Sequence, residues 1–325
     1  MRSLTSGRRA RTTLHLWSGT QPARSKSKDP RPANLRRGAF SCLVLLVGSL
    51  TPHTSSHRFQ SPPAQFSHPQ KVTLRGYSAD AMEPFLTRDG NYLFFNNSND
   101  PHVNTNLHWA ERVDDLTFQY KGEIGGVNTR ALEAVASLDR NGVFYFVSNR
   151  SYHQTAATIY RGTFAHGSVS AVELAPGVSS RIPGLVNFDA EISADGNALY
   201  YVESQFSLLR HRPKTAKIAI ARRAGNSFRP DPESDTLLRE INTGGLDYAP
   251  ATSPSELEIF FTRLDRDGPA IYTATRSSTA AAFGAPEKIR AITGFAEGPT
   301  VSPDGTSLYY QRKEDGKFVL YRVTR

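Results

Sequence analysis

Apolar and polar residues alternate along this chain in short runs broken by turns, and five of those breaks look alike. The last is the clearest. Glu297 to Tyr310, EGPTVSPDGTSLYY, reads as a strand over Pro299 to Ser302, a tight turn at Pro303-Asp304-Gly305, and a second strand ending in Leu308-Tyr309-Tyr310. An Asp-Gly pair supplies the positive φ that a tight hairpin needs, and a proline before it pre-sets the bend. Its relatives are MEPFLTRDGNYLFF (Met82 to Phe95), LEAVASLDRNGVFYF (Leu132 to Phe146), FDAEISADGNALYY (Phe188 to Tyr201) and YAPATSPSELEIFF (Tyr248 to Phe261). With the turns placed at Asp89, Asp139, Asp195, Ser255 and Asp304, the spacings are 50, 56, 60 and 49 residues. The second copy carries one extra turn residue in this alignment, and the fourth has Ser255-Glu256 in place of Asp-Gly. Paired aromatics follow the turn in every copy, which marks them as core.

A β pattern repeating at this period implies a propeller. A third strand follows each hairpin: Leu107 to Glu111, Thr158 to Thr163, Lys217 to Ala221, Ala270 to Thr275 and Phe318 to Val323. A fourth is read over Phe118 to Ile124, Val172 to Leu174, Thr236 to Ile241 and Pro286 to Ile289, and the last copy ends before it has one. A spare alternating strand, Lys71 to Arg75, stands ahead of the first copy. Strand donation from one terminus to the other's blade would close the ring and remove an exposed edge. The fold expected is all-β: a five-bladed β-propeller of four-stranded antiparallel blades, closed by an N-terminal strand completing the last blade.

These residues resemble the TolB-type propeller repeats. The resemblance rests on SPDG followed by LYY, on Val147-Ser148-Asn149-Arg150 after a second strand, and on the third strands Ile159-Tyr160-Arg161, Ile271-Tyr272-Thr273 and Leu320-Tyr321-Arg322. Val127-Asn128-Thr129, Ile241-Asn242-Thr243 and Phe283-Gly284-Ala285-Pro286-Glu287 strengthen it. It covers about residues 71–325 and lacks the separate N-terminal domain of TolB. It implies the fold, whereas such repeats serve interaction proteins, peptidases and polysaccharide lyases alike.

Charge alters the picture once it is divided. The whole chain carries a formal net charge of +9. Residues 1–58 hold 11 Lys or Arg and one Asp, which leaves the remainder near −1. A nucleic-acid reader keeps its basic footprint on the folded domain, so nucleic acid is not the expected partner. Residues 1–34 have the composition of a disordered or mis-annotated leader. Residues 35–58 follow the layout of a secretory signal: Arg36-Arg37, an apolar run from Ala39 to Leu50, then small polar residues. That run is too short for a membrane span of about 20 residues, so no stable membrane insertion is expected. The protein is read as exported, periplasmic or secreted, with a linker over 59–70 and the propeller over 71–325. Cys42, the single cysteine, lies inside the signal, so the exported part has neither a disulfide nor a thiolate.

In a propeller of this topology the Asp-Gly turns share one face. The loops leading into first strands and those joining second to third strands share the other. An acid stands at or near the start of each first strand: Glu83, Glu133, Asp189 with Glu191, Asp247 and Glu297. First strands line the central channel, so these acids are expected to ring its mouth. Outside them the loops bring Asn97, Asn149, Arg150, Arg263 and Arg312, and the longest, Ser204 to Thr215, adds Arg210, His211 and Arg212. Such carboxylates could run glycoside hydrolysis, where one donates a proton and another acts as base or nucleophile, as in five-bladed glycosidases of the arabinanase type. They could instead hold a divalent cation or a cationic peptide group; that cation would be the sole cofactor. Or each could accept backbone hydrogen bonds from the neighbouring blade. His102, His108, His153, His166 and His211 lack any metal-ligand spacing and are read as solvated loop residues. The leading expectation is a monomeric binding module for a protein or glycan ligand on the loop face, with a carbohydrate-active enzyme as the alternative.

Overall fold

The hairpins are closed by a hydroxyl and a carboxylate acting together. In the computed structural model, which describes residues 65–100, 103–206 and 213–325, the Ser302 hydroxyl donates to Asp304 and accepts from the Ser307 amide at 2.9 Å. Asp304 in turn accepts from the Thr306 amide at 3.0 Å. Thr87 with Asp89, and Ser193 with Asp195, repeat the arrangement. Ser253 with Ser255 is the fourth version, and Glu256 takes the glycine's place there at φ 56°. The second hairpin departs from the expected alignment. Asp139 occupies the hydroxyl's position and bonds both the Asn141 and Val143 amides. Gly142 is the positive-φ residue, so that turn is one residue shorter than its relatives, not one longer.

The strands assemble as anticipated into five blades. β1 (Ser67–Lys71) and β2 (Thr73–Arg75) come first. The first blade holds β3 (Met82–Leu86), β4 (Tyr92–Asn96), β5 (Leu107–Arg112) and β6 (Thr117–Glu123). The second holds β7 (Glu133–Leu138), β8 (Val143–Ser148), β9 (Ile159–Ala165) and β10 (Ser168–Leu174), with the helical turn α1 (Tyr152–Thr155) between β8 and β9. The third holds β11 (Leu185–Ile192), β12 (Ala198–Phe206), β13 (Pro213–Ala224) and β14 (Ser227–Pro230). After α2 (Ser234–Leu237) come β15 (Asp247–Thr252), β16 (Glu258–Asp265), β17 (Gly268–Thr275) and β18 (Glu287–Lys288) of the fourth. β19 (Ala296–Val301), β20 (Ser307–Glu314) and β21 (Lys317–Thr324) form the fifth, completed by β1 against β21. The innermost strands β3, β7, β11, β15 and β19 pack on one another in that order around the centre.

Two expected strands are placed differently. The fourth strand of the third blade is β14, which turns back at Gly225 (φ 63°), and not Thr236 to Ile241. Leu237, Leu238 and Ile241 instead follow a helical spacing, and all three bury in the core between the third and fourth blades. The closing strand is β1, in the segment read as linker. Residues 73–75 go elsewhere, pairing in parallel with β6 as a fifth strand of the first blade. Val72 joins them: its amide donates to Leu320 O at 2.9 Å in the fifth blade, and the next amide, of Thr73, donates to Leu116 O at 2.7 Å in the first.

Between each pair of neighbouring blades lies one apolar cluster. The paired aromatics explain their composition. Adjacent residues of a strand point to opposite faces, so Phe94 fills the interface with the second blade and Phe95 that with the fifth. Tyr200 and Tyr201, Phe260 and Phe261, and Tyr309 and Tyr310 divide in the same sense. The closing segment adds Phe66, buried against Phe260 with ring centroids 5.8 Å apart and covered by Arg325, which also holds Glu258 through two nitrogens.

Phe66→Ala should therefore lower stability by about 3 kcal/mol, and removal of residues 1–72 should lower it further and expose two sheet edges. Urea midpoints and light scattering measure both. A truncated chain that melts like the full one would place ring closure elsewhere.

Candidate functional site

Each innermost strand carries one bulge at the same register. The bulged residues are Glu83, Val135, Asp189, Ala249 and Gly298, all with φ between 47° and 61°. A bulged residue leaves the ladder, and a buried amide without an acceptor is costly. Here a side chain of the preceding blade supplies the acceptor. Gln311 Oε1 takes the Glu83 amide, Asn96 Oδ1 that of Val135 (3.2 Å), Asp189 Oδ2 that of Ala249 (2.9 Å) and Thr262 Oγ1 that of Gly298 (3.1 Å). A second tier lies deeper: Thr300 takes Leu86 N, Ser137 takes Ile192 N and Glu191 takes Thr252 N, at 3.2–3.3 Å. Asp189 and Glu191 are thus blade-to-blade acceptors. Glu191 also pairs with Arg88 at 2.7 Å, both side chains buried.

The six acids of the expected ring are all buried, yet they occupy different registers and keep different company. Glu133 and Asp247 open β7 and β15, two residues before the bulge. Glu133 accepts from the Thr129 amide (2.8 Å) and the Ser148 hydroxyl (2.7 Å), and Arg150 lies 3.1 Å away. Asp247 is held by Arg263 Nε at 2.6 Å. Both arginines lie over two aromatic rings, Phe146 and Tyr160 or Phe261 and Tyr272, and both reach the carbonyl of the lead-in loop, Val127 or Ile241. Arg312 takes no channel acid: it stacks 3.6 Å from the Tyr321 ring and binds Glu314 and the Tyr321 hydroxyl. Asn149 Oδ1 caps the Leu132 amide at 3.0 Å.

Glu83, Asp189 and Glu297 form the central group. Asn99 donates to Glu83 at 2.9 Å, and Gln311 Nε2 donates to Glu297 at 3.1 Å while its Oε1 holds the Glu83 backbone. The Tyr248 hydroxyl caps Glu297 at 2.5 Å. A Cβ on Gly298 would stand 2.7 Å from Glu83 Oε2, so a side chain there would have to displace the Glu83 carboxylate, although the other four bulges carry non-glycine residues at similar φ. Burial raises the Glu83 carboxyl to about 7, with the Asn99 bond opposing it. Burial and then the charge of Glu83 raise Glu297 to about 8. Asp189 is pushed well above the usual carboxylate range by burial and by Glu83. At neutral pH this group retains protons. Among the described residues no three His, Cys, Asp or Glu side chains are placed to hold a metal ion.

His108 corrects an expectation: it is no loop residue but lies buried on β5, stacked 5.5 Å from Phe95, with Nδ1 3.0 Å from the Tyr120 hydroxyl. Burial lowers its pKa. His153 and His166 are exposed. The segment read as a signal, residues 35–58, and His102, Arg210, His211 and Arg212 lie outside the described residues. Sequence reasoning missed Tyr248, Gln311 and Arg88, whose roles arise only when blades meet, and Asn99, which reaches Glu83 within the first blade. It also missed a cavity of about 420 Å³ on the loop face between the third and fourth blades, lined by Asn187, Glu203, Lys217, Asn242, Gly245 and Asp247 among others.

No protein-family model and no curated protein matches the chain. Solved structures do. An endo-arabinase from Bacteroides thetaiotaomicron is 14% identical, covering 79% of this chain and 98% of its own, with a TM-score of 0.53. A family 117 glycoside hydrolase produced by Zobellia galactanivorans is 10% identical, covering 80% and 90%, with a TM-score of 0.52. TolB from Acinetobacter baumannii is 14% identical, covering 76% of this chain and 55% of its own, at 0.43, too low to carry an argument. At these identities the likeness shows the propeller fold alone.

The central acids set a pH dependence. Glu83 and Glu297 bind protons more tightly folded than unfolded, so their contribution is complete below about pH 4.5 and is lost as pH rises through about 7 to 8. Glu297→Gln should flatten that decline and raise stability at pH 8.5 by about 1–3 kcal/mol. Glu133→Gln should lower it at every pH by about 2 kcal/mol, since Arg150 loses its partner. Melting curves from pH 5 to 9 check both; parallel curves for Glu297→Gln and the parent would refute the assignment.

Proposed function

We propose that the chain is an exported binding module that takes a glycan or protein ligand on its loop face, off the central axis. The observation that carries this is the state of the central acids. Glu83, Asp189 and Glu297 are at most 8% exposed, and each is engaged by a neighbouring strand or side chain, which suits members of a scaffold more than groups awaiting a substrate. The loop face, by contrast, holds the cavity beside Asp247. The TolB-type repeat resemblance agrees with an interaction role. Export rests on Arg36-Arg37 and the apolar run Ala39 to Leu50, and among the described residues no helix is long and apolar enough to cross a membrane.

A second reading, glycoside hydrolysis, has one observation in its favour. Carboxyl groups that titrate near neutrality suit general acid catalysis, and Glu83 and Glu297 do so. Against it stands their burial behind Tyr248 and Gln311.

Affinity electrophoresis of the full chain in gels containing arabinan, agarose or rhamnogalacturonan, with reducing ends assayed in parallel, separates the readings. Retardation in one gel without release of reducing ends is expected. Release that Glu297→Gln abolishes would establish the enzyme instead, and neither effect would remove glycan as the ligand and leave protein. Terminal sequencing of exported material should place the mature start between about Thr51 and Gln65, because Phe66 belongs to the core. A soluble product retaining Met1 would overturn export.

A further inference from the structure

The connection from the second blade to the third carries the most exposed large apolar side chain among the described residues, Ile182 at 55%. The loop that presents it is held firmly. Leu185 N donates to Ile182 O at 3.0 Å across Pro183 and Gly184, the pair a type II turn takes at its centre, with Gly184 at φ 87°. The Tyr152 hydroxyl accepts from Gly184 N at 3.1 Å and donates to Leu185 O at 3.4 Å, and Asn187 Oδ1 accepts from Ser180 N at 2.9 Å. Arg181, between these anchors, is exposed and left-handed at φ 54°. A partner meeting this loop would lose little entropy in ordering it.

Beside the loop lies a cavity of about 200 Å³, lined by Ala157, Leu174, Ala175, Pro176, Ser179 and Arg181 among others. Its size restricts the occupant. Small-molecule sites run to about 300–1,000 Å³, so this one has room for a single side chain. The walls are mostly aliphatic, and Arg181 is the charged residue among them. A sugar ring brings hydroxyls that such walls leave unanswered, at a cost; an apolar side chain brings none.

Charge selects the neighbours of that side chain. The loop-face segments 127–132, 149–157 and 175–184 contain Arg130, Arg150, His153 and Arg181 and no acid. They are knit together: Arg150 reaches Val127 O, and Tyr152 reaches Leu185 O. The acids that approach them are engaged. Glu133 faces Arg150, Glu173 is held by Arg161 at 2.6 Å, and Asp247 faces Arg263. Past Ser180, Glu203 and Asp235 share Lys217, which leaves one carboxylate uncompensated. Against it stand Arg130, Arg181, Lys214 and Arg229, all exposed and, among the described residues, without an ion-pair partner. Arg229 follows Phe228, whose amide donates to Pro176 O at 3.0 Å. The balance is positive, which suits carboxylates, and arginine can hold a carboxylate by two parallel hydrogen bonds.

We propose that the loop over residues 179–184 and the cavity beside it form a docking site for an acidic segment of a partner protein. One apolar side chain of that segment enters the cavity, Arg181 holds the carboxylate next to it, and Ile182 packs on the partner's surface. The inference rests on the loop-face reading and takes its protein ligand instead of its glycan.

The test pans a phage-displayed library of random decapeptides against the immobilised full chain and measures the enriched peptides by fluorescence anisotropy. Sequences in which an aliphatic or aromatic residue adjoins Asp or Glu are expected, with affinity that falls as salt rises. Arg181→Asn removes the charge without backbone strain, since asparagine tolerates positive φ, and should weaken binding about tenfold at unchanged melting temperature. Ile182→Ser should weaken it as well. Ala157→Leu, which fills the cavity, should abolish it; if that variant fails to fold, the two surface variants still decide. No enrichment, enrichment of basic sequences, or peptides that bind Arg181→Asn and Ile182→Ser as they bind the parent would overturn the proposal. Binding of polygalacturonate with no peptide enriched would overturn it in favour of an anionic glycan. Retardation on a neutral polysaccharide gel that persists in Arg181→Asn, with no peptide enriched, would keep loop-face binding and remove this site from it.

Discussion

The structure depends on the bulge in each innermost strand and on where its amide goes. At the centre of the ring five backbones converge, and every bulged residue presents an N–H outside the ladder. Gln311, Asn96, Asp189 and Thr262 accept four of these amides, each across a blade boundary. Apolar clusters between blades supply most of the cohesion, but they do not specify register. A directional bond from one blade's side chain to the next blade's backbone does. Amide, carboxylate and hydroxyl groups perform the same task at these positions, which is why acids appear at the centre without being equivalent by sequence.

The fold was legible because its signal is repeated and physically redundant. Hairpin chemistry recurs at Asp89, Asp195 and Asp304, and paired aromatics recur because each blade must fill two interfaces. What escaped reading was local and unrepeated. Thr236 to Ile241 is apolar enough for a strand, but only its spacing of three and four betrays the helical turn. Asp139 performs two roles at once, which disguises a shorter turn as a longer one. His108 is buried because Tyr77, in the loop after β2, and Tyr120 of β6 fold over it, and no window around His108 contains both.

The candidate site was legible in part, and the bulge explains the limit. On a regular strand successive residues face opposite ways, so Glu297, one residue before the bulge, and Glu83, at the bulge, should diverge. The bulge instead frees the Glu83 amide for Gln311 Oε1, while Nε2 of the same Gln311 holds the Glu297 carboxylate. Counting outward from the turns found the acids but could not sort them. Glu133 and Asp247 proved to belong with Arg150 and Arg263 as a repeated anchor between first strand, second strand and lead-in loop. The cavity beside Asp247 left no pattern at all, because its walls come from four separate stretches of chain.

Val72 has a further consequence, for the timing of folding. The strands it joins pair with β21, the last strand contributed to the fifth blade, and with β6. Most of the ring's contacts are between consecutive segments and can form as each is completed. The β1–β21 ladder spans almost the whole described length and is the slowest kind of contact to close. Until Thr324 has emerged, Phe66 has no finished interface to enter, and the fifth blade exists as an open edge. Ring closure therefore waits for the last strand of the fifth blade, and every earlier interface can form before it.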